Sequence, residues 1–89
     1  MKAVRVVVRG VVQGVNFRWS ALRAAQRIGV VGWVRNRDDG TVEAHIEGDD
    51  GRVLTMLAWL REGPAAAMVE GVDVADAQVD GAADFQIHR

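Results

Sequence analysis

The sequence predicts an α+β sandwich of the ferredoxin-like, split-βαβ type. Its element order is βαββαβ plus a short C-terminal strand, with two helices on one face of an antiparallel sheet. Three observations predict it. Val-rich runs of alternating polarity are interrupted twice by segments whose apolar residues recur at three- and four-residue steps. Asp39-Gly40 falls between two alternating runs, which marks a hairpin and makes those runs neighbours. The 89 residues, 49% hydrophobic and without cysteine, suffice for one domain over residues 1–89, with a modest core and no covalent staples.

Ala3 to Arg9 reads as the first strand. Val4, Val6 and Val8 share one face, and Arg5, Val7 and Arg9 share the other, which suits a sheet covered on one side only. The first helix runs from Phe17 or Arg18 to Ile28. Ala21, Leu22, Ala25 and Ile28 form its apolar stripe, and Gly29 fits a left-handed C-terminal position. Trp19 is open to two readings, a core residue or a wall of a site.

Val30 to Arg35 is the second strand, and Arg37-Asp38-Asp39-Gly40 the turn after it. From Thr41 to Glu47 the pattern alternates, with Val42, Ala44 and Ile46 inward and Thr41, Glu43, His45 and Glu47 outward. His45 therefore reads as a solvent-facing residue, and so does His88, which alternates with Phe85 and Ile87. Two separated histidines with no acid gathered beside them make no metal site. Asp49 or Asp50 caps a second helix, whose stripe is Val53, Leu54, Leu57 and Leu60 with Met56 as core or edge filler. Gly63-Pro64 ends that helix. Val69 to Val79 holds the fourth strand, with an interruption expected near Gly71. Asp80 to Asp84 is a polar turn and Phe85 to Arg89 the last strand.

Composition excludes several function classes. Without cysteine there is no disulfide frame, no thiolate metal centre and no copper-chaperone pair. No stretch approaches a membrane span and no apolar run suits a signal peptide, so the expected compartment is the cytoplasm. The net charge is −1, but the signs are segregated. Lys2, Arg5, Arg9, Arg18, Arg23, Arg27, Arg35 and Arg37 come without an acid among them, and all twelve acids follow from Asp38 onward. This pattern supports either a cationic surface that draws an anion or two halves whose charges pair on folding. An RNA-recognition domain of this fold needs aromatic and basic residues on its third strand. Here that strand is acidic and has no aromatic residue, so no nucleic-acid partner is expected.

One stretch points to chemistry. Gly10-Val11-Val12-Gln13-Gly14-Val15-Asn16-Phe17-Arg18 joins the first strand to the first helix. A glycine-bounded loop opening a helix gathers unpaired backbone N–H groups at the positive end of the helix dipole, which suits a phosphate. Arg18 at the helix start offers a fork for two phosphate oxygens. It is not a Walker loop, because the Gly-Lys-Ser/Thr ending is missing. From the residues alone, an anion-binding module without catalysis and a phosphohydrolase both remain open.

The string Val12-Gln13-Gly14-Val15-Asn16-Phe17-Arg18 resembles a signature of the acylphosphatase family, hydrolases of carboxylic–phosphoric anhydrides. The stretch Gly32 to Glu43, beginning Gly32-Trp33-Val34-Arg35-Asn36, resembles that family's second signature, at the family's usual separation. The likeness extends from Arg5 to the C-terminal strand. Asn16 stands where the family often has Gly, and Asn is the residue besides Gly that best tolerates positive φ.

The resemblance implies the ferredoxin-like fold and hydrolysis of a small anionic acyl phosphate to carboxylate and inorganic phosphate. Arg18 matches the family's essential Arg and would bind the phosphoryl oxygens. The backbone N–H groups of Gln13, Gly14, Val15, Asn16, Phe17 and Arg18 would complete the cradle. Asn36 matches the essential Asn and would hold the attacking water; read without the motif, it is a turn residue opening the hairpin. No metal ligand set, cofactor or membrane partner is implied, and a monomer is expected. No pocket for the acyl group is legible, so broad acyl tolerance is expected.

Overall fold

The computed structural model describes residues Met1–Arg89. Its elements are β1 (Lys2–Val11), α1 (Phe17–Ile28), β2 (Val31–Asn36), β3 (Val42–Gly48), α2 (Asp50–Glu62), β4 (Met68–Asp76) and β5 (Phe85–His88). They form one five-stranded sheet in the order β4-β1-β3-β2-β5. The four principal strands are antiparallel. The terminal strand β5 runs parallel to β2, from Gly32 opposite Phe85 to Arg35 opposite His88, so the complete sheet is mixed. Both helices pack on the same face, α1 over β2 and β5 and α2 over β1, β3 and β4.

The local signals explain these elements. Asp49 caps α2, its carboxylate accepting the Arg52 backbone N–H at 2.9 Å. Gly29 ends α1 with φ 94° and donates its N–H to the Ala25 carbonyl. The hairpin closes with Arg37 N–H donating to the Thr41 carbonyl at 2.9 Å, leaving Asp38, Asp39 and Gly40 as the loop. It is therefore a three-residue connection ending in Gly40 at φ 89°, not the two-residue turn that Asp-Gly most often makes. The expected interruption near Gly71 is a register shift. Arg9 pairs with Gly71 and Gly10 with Val69, so Glu70 is the extra residue of a bulge. Gly32 is required by close approach, since a Cβ there would run into the His45 carbonyl.

The core lies between the sheet and the helices. Val4, Val6 and Val8 of β1, Val42, Ala44 and Ile46 of β3, and Val53, Met56, Leu57 and Leu60 of α2 are all buried. The apolar stripes of both helices are corrected. Leu54 is 63% exposed and Met56 is fully buried, because the true stripe steps Val53, Met56, Leu57, Leu60 and leaves Leu54 one position off it. On α1 the buried set is Phe17, Ala21, Ala24 and Ala25, while Leu22 and Ile28 are only partly covered.

The outward face of β3 is also corrected. Glu43, His45 and Glu47 are buried, not solvent-facing. As the middle strand of five, β3 lies beneath long side chains from both neighbours. Arg5 from β1 and Arg35 from β2 both pair with Glu43. Burial raises the Glu43 carboxyl, but the hydrogen bonds and charges of Arg35 and Arg5 outweigh it and hold the group below the usual carboxylate range. Trp33 stacks between His45 and His88, so neither histidine stands free.

Glu47 collects the most partners. Its carboxylate accepts backbone N–H groups from Asp80, Gly81 and Ala82 and a bond from His45 Nε2 at 2.6 Å. These contacts fix the β4–β5 connection. Burial raises its pKa, but the Asp80 N–H, His45 and the Ala82 N–H together lower it further. A carboxyl lowered in the folded state stabilises above its unfolded pKa, and that contribution is lost as pH falls through the lower native value. Glu47→Gln should therefore cost about 1.5–3 kcal/mol at neutral pH, the scale of hydrogen bonds to a charged group. The gap between the two proteins should narrow as pH falls below about 4. Melting curves from pH 7 to pH 3 test this, and a gap independent of pH would reject it.

The charge segregation resolves largely into pairing. Lys2, Arg5, Arg9, Arg35 and Arg37 each meet an acid of the later half. Arg18, Arg23 and Arg27, all on α1, do not.

Candidate active site

The segment from Val12 to Asn16 leaves the sheet at the end of β1 and is pinned at both ends. Val12 is 1% exposed and Phe17 2%, and Phe17 meets Trp59 edge-on with ring centroids 5.6 Å apart. Between these anchors the backbone alternates. Gly14 has φ 73° and Asn16 has φ 64°, while Val15 stays in the ordinary region. Alternation of this kind turns successive N–H groups to one side and forms a concave nest for an anion. Asn16 is the helix N-cap, makes no side-chain capping bond, and no acid occupies the first turn of α1. The first backbone bond of the helix runs from Ser20 N–H to the Asn16 carbonyl, and the N–H groups from Gln13 to Trp19 find no backbone acceptor.

The opposite wall comes from β2. Asn36 is its last residue and is paired through the backbone with Val42. A cavity of about 210 Å³ is lined by Gly14, Asn16, Phe17, Arg18 and Asn36 of the predicted set, with Val12, Trp19 and Ile87 as apolar walls. Gln13 and Val15 belong to the loop but do not line it. Val15 packs against the core. Arg18 is half-buried, and its Nη1 donates to the His88 carbonyl at 3.2 Å. That contact ties the guanidinium to β5 and leaves its other donors for a ligand.

Sequence reasoning missed two contributions and left a third open. Gln13 Nε2 donates to the Arg37 carbonyl at 2.7 Å and to the Thr41 carbonyl at 2.9 Å, lacing the loop to the hairpin. The His88 carbonyl, which orients Arg18, leaves no trace in side-chain patterns. Trp19 is 49% exposed, and of its two readings the structure gives the wall. Gln13→Ala removes both lacing bonds, with an expected stability cost of about 1–2 kcal/mol. Inorganic phosphate should inhibit that variant more weakly. A melting curve and an inhibition series on one preparation check both effects.

One cluster lies outside this cavity. His45, Glu47 and Asp80 offer donor atoms within 4.8 Å of one another, which corrects the reading that no acids gather at a histidine. The cluster does not fit a metal ion. His45 Nε2 is bonded to Glu47, and a metal on Nε2 would force the ring proton onto Nδ1, a buried atom with no partner. Both Glu47 oxygens already accept backbone N–H groups. The cluster anchors a loop.

Comparison with known proteins gives the family. A family model described as Acylphosphatase matches residues 4–87. An acylphosphatase from Nocardioides sp. is 53% identical over 85 residues, which is 96% of this chain and 86% of that protein. One from Thermococcus kodakarensis is 49% identical over 89 residues, 98% of each chain. The crystal structure of acylphosphatase from Bacillus subtilis superposes with a TM-score of 0.96 at 32% identity, covering 100% of both chains. Matching a family model over nearly its whole length, and sharing half its residues with relatives of the same size, the chain belongs to the acylphosphatase family.

Proposed function

We propose that this chain hydrolyses acyl phosphates without a metal ion, by attack of water on a phosphoryl group held against the Gln13–Arg18 amides. Family membership supports the reaction class. The observation that carries the site assignment is the meeting of Arg18, Asn36 and a run of unpaired N–H groups in one cavity.

The roles follow from the chemistry of these groups. The amides and the Arg18 fork bind the equatorial phosphoryl oxygens and stabilise charge that grows on them in the transition state. The Asn36 amide accepts a bond from water and donates one to phosphate, so it orients the nucleophile without taking its proton. Water oxygen forms a bond to phosphorus while the bond from phosphorus to the acyl oxygen breaks. The electron pair leaves on the carboxylate, and the water proton departs with the phosphate product. A carboxylate leaving group has a pKa of about 4–5 and needs no general acid at neutral pH. The lining side chains accordingly include no His, Cys, Asp or Glu. Every residue invoked comes from one copy, so a monomer suffices. No helix is long and apolar enough to cross a membrane.

Benzoyl phosphate, incubated with the protein with and without a chelator, is the direct test. Turnover in both samples, with competitive inhibition by inorganic phosphate, is the expected outcome. Turnover lost to the chelator and restored by a divalent ion would reject metal independence. No turnover in either would reject the hydrolase reading in favour of an anion-binding module.

A further inference from the structure

The phosphoryl cavity has two neighbouring spaces, and they differ. One shares Asn36 with it and is otherwise bordered by Arg35, Arg37, Asp38, Asp39 and Arg89, where acids and bases mix. The other is a groove of about 390 Å³ that shares Asn16 and Trp19 with the phosphoryl cavity and continues past Ser20, Arg23 and Arg27. Trp59 and Pro64, at the end of α2, face it. Trp19, Arg23 and Arg27 repeat at four-residue steps, so they share one face of α1. No acid lines this groove. Arg23 and Arg27 are exposed and have no ion-pair partner, and the Arg23 guanidinium sits 6.0 Å over the Trp19 ring.

Resting on the assignment of Asn36 to the attacking water, in-line displacement fixes where the acyl group goes. Attacking and leaving oxygens lie on opposite sides of phosphorus. With water at Asn36, the acyl oxygen departs away from that residue, and of the two adjoining spaces only the Trp19 groove is not lined by Asn36. The geometry points to the Trp19–Arg23–Arg27 groove as an acyl-group subsite that favours acyl phosphates bearing a second anionic group. Trp19 offers a flat apolar surface to the body of the acyl group, and the two arginines offer unpaired forks to a distal carboxylate or phosphate. Arg23 stands about 7.5 Å beyond Arg18 along the helix axis, and its guanidinium lies over the ring of Trp19, which lines both the cavity and the groove. This adds a graded preference to the expectation of broad acyl tolerance.

The test compares 4-carboxybenzoyl phosphate with benzoyl phosphate, a pair in which the ring prevents the added carboxylate from attacking its own acyl carbon. Each kcat/KM is divided by the uncatalysed rate, which removes the electronic effect of the substituent. The wild-type protein should prefer the carboxylated substrate about fivefold or more at low salt, chiefly through KM, and the preference should shrink as salt rises. In Arg23→Gln/Arg27→Gln the ratio should fall to within about twofold of one. A control, Lys2→Gln/Arg9→Gln, makes the same charge change at residues that do not line the groove and that pair with Asp76 and Asp73 of β4, and it should keep the wild-type ratio. A wild-type ratio near one, a ratio unmoved in the Arg variant, or an equal fall in the control would each overturn the subsite while leaving benzoyl phosphate hydrolysis intact. Failure of the wild-type protein to hydrolyse benzoyl phosphate would instead reject the underlying hydrolase reading, and the subsite with it.

Discussion

Arg18→Lys should lose activity by two to three orders of magnitude although the charge is kept. In the proposed mechanism the guanidinium performs two tasks at once. One N–H group is committed to the His88 carbonyl at 3.2 Å, and the remaining donors point from a planar, rigid frame at whatever occupies the cavity. An ammonium on a flexible stem cannot hold the carbonyl and span two phosphoryl oxygens together. Losing one oriented donor at a developing anion costs about 3 kcal/mol of transition-state stabilisation, which matches the expected fall. The substitution should barely alter the melting temperature, because Arg18 is half-buried and makes no ion pair whose loss would strand a buried acid. Initial rates on benzoyl phosphate and the phosphate inhibition constant give the readout. Near-normal rates would show that a positive charge at this position suffices and that its shape does not matter.

How much of this site was legible in the sequence depended on whether the informative contact was local. The strand–loop–helix junction was legible because turn chemistry is local. Gly14, the tolerant Asn16 and a helix beginning at Phe17 are enough to place free N–H groups together. The helix caps at Asp49 and Gly29 were legible for the same reason. The outward face of β3 was not. Alternation puts Glu43, His45 and Glu47 on the face away from the helices, which is correct, but alternation says nothing about what overhangs that face. Arg5, Arg35, Trp33 and the loop at Asp80 to Ala82 reach over it from positions distant in sequence. A central strand flanked by residues with long side chains is buried on both faces in a way that period-two reading cannot detect. The same limit hid the Gln13 lacing, whose partners are backbone carbonyls 24 and 28 residues away, and the hold of β5 on Arg18. Leu54 was misplaced for a smaller reason. The neighbouring pairs Val53-Leu54 and Met56-Leu57 admit two helical phases, and only packing against the sheet selects one.

Asn36→Ala separates a hydrolase from an anion-binding module most sharply. The turn reading of Asn36 is weakened by the hairpin itself. Asp39 makes the local side-chain bonds, accepting the Thr41 N–H at 3.0 Å and the Thr41 hydroxyl at 2.6 Å. The Asn36 amide takes part in none of the side-chain hydrogen bonds of the fold, yet it lines the same cavity as Arg18. An amide held at the end of a paired strand, unused by the fold, is free to orient a ligand. Removing it should therefore cost stability no more than about 0.5 kcal/mol, as for other changes that break no internal contact. Phosphate inhibition should persist, because the loop amides and Arg18 are untouched. Turnover should fall by a factor of about a hundred or more, the scale on which an unoriented nucleophile slows a reaction. Initial rates, phosphate inhibition and a melting curve on the same preparation distinguish the outcomes. A folded variant that binds phosphate and retains the wild-type rate would remove Asn36 from the mechanism. It would also remove the in-line argument that directs the acyl group toward Trp19.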